Sequence, residues 1–286
     1  LRQSKFDRYL EPRDGHGAAG QDKARLMEYA ELAWQYFANE THERSGFTPA
    51  TVFRSDDFTS NYEVITMWDV TSHLNGALCA AEMGIITRDD MVQRVMRILK
   101  NLPARKIAGL TLPVAEFHFA SSAPLSSDYN SCDVGRLLVS LHLLSRLPEL
   151  KGAGSELVGG WDLEKTVKQG RLMDINRQRM VDASQTNCSH YASIGYRLWG
   201  FDSTSPYQAR DGEGDFDAGI RLLNAVGNIG PIGAEPLLLE EVELGSSRES
   251  AILSDVLYSA QLAEYRRSGD LIAVSAMPLA RAPRTY

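Results

Sequence analysis

No apolar run among the 286 residues approaches the ~18 needed to cross a bilayer, so direct membrane insertion is not expected. Basic residues are outnumbered, 30 Lys and Arg against 37 Asp and Glu, for a formal net charge of -7. Nucleic acids and anionic lipid surfaces reward clustered cations, so neither is an expected partner. Cysteine is scarce, with three residues and no Cys-x-x-Cys spacing, which argues against a zinc site. There is no Gly-x-Ser-x-Gly elbow, no phosphate-cradling glycine loop and no metal-ligand cluster. Nucleophilic Ser or Cys catalysis therefore finds no support, and no cofactor or metal is implied. A signal peptide is also lacking, and the start at Leu1 reads as a processed or excised segment.

What is present is a globular composition, 43% hydrophobic and 23% charged, with ample length for a buried core. The chain is organised around Asn61 to Ile86. Val70, Leu74, Ala77, Leu78, Ala81 and Ile85 recur at spacings of three and four, an apolar stripe on one helix face. Thr66 with Asp69 three residues on is a capping-box signature, so the helix is expected to begin at Met67 or Trp68. Cys79 falls on the stripe side as a small core residue. Cys132 and Cys188 sit at two other loop-to-helix junctions and could lie close together, as thiols or as a disulfide.

In chain order, residues 1–20 read as a flexible lead-in and 21–286 as a single domain. A helix over Gln21–Asn39 carries Met27, Ala30, Ala33, Trp34 and Phe37 on one face. Thr87 and Asp90 cap the next helix after Ile86, and Asn130 precedes Asp133 at a further cap before a strongly apolar helix. Strand-like pieces fall at Leu110–Leu112, Glu116–Phe119, Arg179–Asp182 and, terminally, Asp270–Ser275. Further helices are expected over a Gly-broken stretch Glu149–Gln169, then Ser189–Trp199, Phe216–Ala225 and Glu235–Leu244. A last one is capped by Ser246 and Glu249, and a Gly/Pro-rich loop spans Val226–Gly233.

Helices thus come in pairs, joined by short links and separated by long loops, which implies antiparallel hairpins with every long loop at one end. The fold class is all-α: an (α/α) toroid of such hairpins, with a few short strands in the long loops. A plain α-solenoid is the rival. In the toroid the inner helices start around one mouth. There gather Tyr62, Glu63, Trp68 and Asp69; then Asp128, Tyr129, Asn130 and Asp133; then Asn187, His190 and Tyr191; then Glu235. Carboxylates with aromatics suit sugar chemistry, where two acids flank the glycosidic bond and ring faces stack on pyranoses. Asp69 and Asp133 could equally be helix caps, Trp68 a core aromatic and Glu235 a loop acid. Arg136 could simply pair with Asp133, and His190 could be a polar helix-start residue.

Several segments (YEVITMWDVTSHLNGALCAAEMGII, CDVGRLLVSLHLL, HYASIGYRLWGFD, EPLLLEEVELG and AQLAEYRRSGDLIAVS) resemble the successive motifs of the DUF3131 family, over roughly Ala24 to Ser275. That resemblance implies a bacterial (α/α)-toroid domain, similar to glucoamylase-like domains that act on β-glucans, in a cell-envelope or exopolysaccharide context. It implies a periplasmic or extracytoplasmic location. Trp68, Asp69, Asp133, Arg136, Tyr191 and Glu243 match family positions. The chain departs from the family where SSDYNSCD lacks a Trp and where Ser275 is followed by Ala276 instead of Glu. It ends at Tyr286 where a family domain continues, and about nine helical segments stand against roughly twelve for six hairpins. The domain therefore reads as truncated, or completed elsewhere at its C-terminal end.

The expected function is that of a glycoside hydrolase or transglycosylase acting on a bacterial exopolysaccharide or β-glucan. Its candidate catalytic carboxylates are Asp69, Asp133, Glu235 and Glu63. Trp68, Tyr62, Tyr129, Arg136, Tyr191 and His190 are the candidate sugar-binding residues. The alternative is a non-catalytic glycan-binding or scaffold domain. An acid at a helix N-terminus has its charged form favoured, so Asp69 and Asp133 are expected to stay ionised, leaving Glu63, Glu116 or Glu235 as proton donor. An open edge near Met27, Trp34, Ile252 and Val256 would meet a second copy or an envelope partner.

Overall fold

The computed structural model describes residues 21–54, 57–184, 186, 188–205, 234–245 and 247–269. The expected lead-in, the helix at 216–225, the loop at 226–233, the terminal strand and the positions Asn187, Ser246 and Ala276 lie outside the described residues. The fold is helix-rich with short strands in the connections. Among the described residues its helices are α1 (Gln21–Glu40), α2 (Met67–Glu82), α3 (Arg88–Asn101), α4 (Ser131–Ser145), α5 (Ala153–Gly159), α6 (Ser189–Leu198), α7 (Ala234–Leu244) and α8 (Arg248–Ser268).

Three of the expected caps form. The Thr66 hydroxyl accepts from the Trp68 amide while Asp69 reaches back to the Thr66 amide, a complete capping box on α2. Thr87 accepts from the Asp90 amide and Asn130 from the Asp133 amide. The cap of α8 is Ser247, which accepts from the Ser250 amide. Helix α2 stops at Glu82, three residues before the stripe suggests, because Gly84 takes a left-handed φ of 75° and turns the chain towards α3. The Gly-broken stretch is a single short helix, α5, between two 3-10 turns at Pro148–Leu150 and Leu163–Thr166.

Helices α2, α4, α6 and α7 pack side by side in that order, with α1 and α3 against α2, α5 against α4 and α8 against α7. Helix α4 is the centre, buried along nearly its whole length from Ser131 to Leu144. It meets α6 with almost no side chain between them. A Cβ on Gly135 would lie 2.5 Å from Cα of Ala192, and one on Gly195 would collide with the Gly135 carbonyl. Gly135 and Gly195 thus set how near the two helix starts come.

The connections are small antiparallel ribbons. Strand β1 (Thr51–Arg54) pairs with β2 (Thr59–Tyr62), β3 (Val64–Ile65) with β6 (Phe117–His118), and β4 (Ala104–Ile107) with β5 (Leu110–Pro113). Strand β8 (Arg171–Asn176) lies between β7 (Val167–Lys168) and β9 (Arg179–Asp182). The β8–β9 turn holds Arg177 and Gln178 at φ 49° and 64°, a left-handed pair that non-glycine residues adopt rarely. Asp128 steadies it by accepting from the Arg177 amide at 2.8 Å.

The outer helices leave apolar side chains in solvent: Leu26, Tyr29 and Leu32 on α1, and Val256, Tyr258 and Tyr265 on α8. Trp34, expected at an open edge, is instead buried under the Arg94 guanidinium, 5.3 Å from its ring. Cys79 is exposed, not on the core stripe. Cys132 and Cys188 form a disulfide that ties the start of α4 to the start of α6.

Candidate active site

The starts of α2, α4 and α6 converge. The disulfide joins the last two, and the Trp68 ring on α2 lies 6.2 Å from the Tyr191 ring on α6. Helix α7 closes the group, its Glu235 accepting from the Trp68 indole N–H at 3.1 Å. Asp69, Asp133, Glu235 and Trp68 are therefore brought together from three helices spread over the chain.

The two aspartates differ in what holds them. Asp69 Oδ2 accepts from both the Thr66 amide, at 2.8 Å, and the Thr66 hydroxyl, at 3.1 Å, so this candidate site residue is also a helix cap. Asp133 starts α4, but the cap there is Asn130, and the Asp133 carboxyl is left for other work. Burial raises the Asp133 carboxyl from 3.8 to about 7, helped by the negative charges of Asp69 and Asp174 and opposed by the Thr66 hydroxyl and Arg136. Burial also raises Asp69, with Glu235 adding to it, against Thr66 and Arg136. The expectation of a fully ionised acid is overturned for Asp133, and Asp69 moves in the same direction. Both acids stand in a first helical turn, but desolvation and like charge outweigh a dipole worth only about 0.3–1 kcal/mol there.

Beneath the pair lies a closed polar cluster. Arg136 on α4 donates through Nη2 to Glu243 Oε1 at 2.6 Å and through Nε to Oε2 at 3.2 Å. Its Nη1 reaches the Trp68 carbonyl at 3.1 Å and the Ser72 hydroxyl at 2.8 Å, and its guanidinium sits 4.6 Å from the Trp68 ring. The Tyr191 hydroxyl donates to Glu243. Burial opposes ionisation of Glu243, yet the hydrogen bonds and charge of Arg136, with Tyr191, hold its carboxyl below the usual range. Arg136 therefore pairs with Glu243 on α7 and not with Asp133, one turn before it.

Other expected residues sit elsewhere. Tyr129 is 1% exposed, its hydroxyl bonded to Tyr196 and within 3.3 Å of Thr166, which makes it a core residue out of reach of a sugar. Tyr191 is equally buried and serves Glu243. His190 is enclosed: Nδ1 lies 2.6 Å from the Ser205 hydroxyl, and Nε2 lies 2.9 Å from the Ser247 hydroxyl and 3.4 Å from Glu240. It joins α6 to α7 and α8 and does not face the aspartates. Glu63 is 61% exposed and pairs with His118 at 3.5 Å, and Tyr62 ends β2 opposite Thr51. Glu116 is exposed beside β6.

One site residue went unread in the sequence. Asp174, in the middle of β8, accepts from the Ser131 amide and hydroxyl, both at 2.7 Å, and adds negative charge beside Asp133. The Tyr129–Ile175 bridge brings β8 to this helix start. The signal was faint, since Arg177–Gln178 carries no Gly or Asn to mark a hairpin. Among the described residues no His, Cys, Asp or Glu group is arranged to hold a metal ion, and no helix is long and apolar enough to cross a membrane.

A family model described as "Protein of unknown function (DUF3131)" matches residues 28–286. No curated protein matches the chain. Among solved structures, β-1,2-glucanase from Parabacteroides distasonis is similar over 74% of this chain and 33% of its own, with TM-score 0.50 and 15% identity. Endo-β-1,2-glucanase from Chitinophaga pinensis, solved with sophorotriose and glucose, is similar over 64% of this chain and 49% of its own, with TM-score 0.46 and 12% identity. The chain spans less than half the length of either enzyme.

Proposed function

The chain belongs to the DUF3131 family, and we propose that it is a carbohydrate-active domain whose Asp69–Asp133 pair performs glycoside hydrolysis or transglycosylation on a β-glucan or bacterial exopolysaccharide. The observation that carries this is the Asp133 carboxyl, raised to about 7 beside a second carboxylate also raised. An acid raised to about 7 beside a second carboxyl can supply a proton donor and an acceptor in one place. Asp133 gives its proton to the glycosidic oxygen as the C–O bond breaks. The ionised partner, Asp69 with Glu235 beside it, takes the proton of the attacking water or sugar hydroxyl, or stabilises the anomeric carbon. This reassigns the donor role that helix-dipole reasoning gave to a glutamate.

The proposal extends to architecture and place. The row α2, α4, α6, α7, with further helices packed against α2, α4 and α7, supports an (α/α) toroid of inner and outer helices within a single domain. The Cys132–Cys188 disulfide suits an oxidising, extracytoplasmic compartment. The exposed apolar side chains of α1 and α8 suit contact with a second copy or an envelope partner.

The test is Asp133→Asn and Asp69→Asn, with turnover and affinity measured separately on β-1,2-, β-1,3- and β-1,4-linked glucan oligosaccharides. Loss of turnover with affinity kept supports catalysis. A specific observation favours the other reading, glycan binding alone: Asp69 is already satisfied by Thr66, and Arg136 by Glu243. Binding by the unmodified protein with no turnover of any oligosaccharide would establish that reading instead.

A further inference from the structure

A second concave site lies away from the aspartates. It is a cavity of about 540 Å3, open to solvent, between α5, the 3-10 turn Leu163–Thr166 and the chain leaving α6. That volume falls within the roughly 300–1,000 Å3 of small-molecule sites. The carboxylate pair sits at the N-terminal end of α6. The cavity opens at its C-terminal end, ten residues and about 15 Å further along the helix.

Its lining is unusual for this chain. The sequence has four tryptophans, and two of them, Trp161 and Trp199, face this one cavity with Phe201. All three are only partly buried, whereas Trp34 is covered. Two of the rings are fixed. The Trp199 indole N–H donates to the Leu138 carbonyl at 2.8 Å, and Phe201 meets Tyr196 edge-on at 5.9 Å between centroids. Polar groups stand beside them: Asp162, Glu164 and Lys165 share the lining. Asp162 is held by the Thr111 amide at 2.7 Å and by Lys165 Nζ at 2.8 Å. Those two bonds leave further lone pairs on its oxygens for hydroxyl donors.

We propose that this cavity is a second glycan-binding subsite, in which pyranose faces stack on Trp161, Trp199 and Phe201 while sugar hydroxyls bond Asp162, Glu164 and Lys165. A neutral polyhydroxylated ring matches both halves of the lining, the apolar faces and the fixed acceptors with one cation. A purely apolar ligand would leave the remaining lone pairs of Asp162 and Glu164 without donors, and an anion would meet two carboxylates. The inference deepens the carbohydrate reading and rests on it. A subsite on the opposite end of α6 would hold a long polysaccharide to the domain while the aspartate site engages another stretch of it.

The experiment uses the full chain with 5-fluorotryptophan at its four tryptophans, each 19F resonance assigned by Trp→Phe replacement. Sophorotriose, laminaritetraose, cellotetraose and maltotetraose are titrated in turn to millimolar concentration. Trp161 and Trp199 should shift saturably with at least one of them, with Trp34 unmoved as the internal control. Trp161→Ala, and separately Glu164→Ala at an exposed position, should weaken that binding by about tenfold and severalfold respectively. If Trp68 alone shifts, the subsite is refuted and the aspartate site stands as a glycan site. If Trp161 and Trp199 shift while Trp68 does not, the subsite stands and the aspartate site loses its support. Silence at both Trp161 and Trp199 with every probe overturns the subsite.

Discussion

Replacing Asp133 with Asn keeps the side-chain volume and removes the ionisation, so it isolates the cost of holding that carboxyl in its setting. Burial raises it from 3.8 to about 7. The sign follows from which state binds the proton more tightly. Between those two values the unfolded chain has released its proton while the folded protein retains it, so folding loses stability progressively as pH rises and loses no more above 7. A shift of about 3 units at 1.36 kcal/mol each sets a ceiling of about 4 kcal/mol. The charges of Asp69 and Asp174 contribute to that shift, so part of it depends on their own ionisation at the pH of the measurement. Asp133→Asn is therefore expected to match the parent near pH 4 and to exceed it by roughly 2–4 kcal/mol at pH 8. Urea unfolding at both pH values, with unchanged slopes, reads the difference between variant and parent. The opposite result refutes the reasoning. If the Asn variant is less stable at pH 8 by the ~0.3–1 kcal/mol of a lost acid at a helix start, Asp133 is a dipole partner and not a held acid.

Three further outcomes follow from neighbouring contacts. Asp174→Asn should lower the Asp133 carboxyl, read from its 13C titration, and cost about 1–2 kcal/mol of stability because Ser131 loses a charged acceptor. Opening the Cys132–Cys188 bond by Cys188→Ser releases a loop of 56 residues' separation, for which chain entropy gives a loss of about 4 kcal/mol; thermal unfolding with and without reductant should show one melting point for the variant and two for the parent. Glu243→Gln frees the Arg136 guanidinium, so the Asp133 carboxyl should fall and stability should drop by about 3–5 kcal/mol for the unpaired buried charge, both measured on the same sample.

The parts of this fold that local chemistry decides were legible. Thr66, Thr87 and Asn130 each cap a helix because a short side chain reaches a free amide two or three residues on, and that geometry needs nothing from the rest of the chain. The same holds for the apolar spacing that buries Val70, Leu74 and Ala77. What failed depended on partners far away. Tyr129 stands among candidate sugar contacts by position, yet whether its ring faces a cleft or the core was decided by Tyr196 and Ile175. His190 likewise met Ser205, Ser247 and Glu240. The β8 strand was missed because its turn is built from Arg177 and Gln178, and with it went Asp174.

The choice Arg136 makes shows why the proton on Asp133 was beyond local reading. At three residues' spacing on one helix, Asp133 and Arg136 could form an ion pair, which would favour the charged carboxylate. Glu243, 107 residues further on, takes the guanidinium through two bonds, and the Trp68 carbonyl and Ser72 hydroxyl take its remaining arm. A cation already shared in this way lowers the Asp133 carboxyl too little to offset burial and the charges of Asp69 and Asp174. The same cluster fixes Trp68, stacked on the guanidinium and bonded to Glu235, over the aspartates. The buried pair thus does two things at once: it holds the Trp68 ring beside the aspartates and leaves the Asp133 carboxyl raised to about 7. A domain that only needed a helix cap at Asp133 would gain from the simpler pairing, because an ionised, paired aspartate at a helix start stabilises the fold where a buried half-neutral one does not.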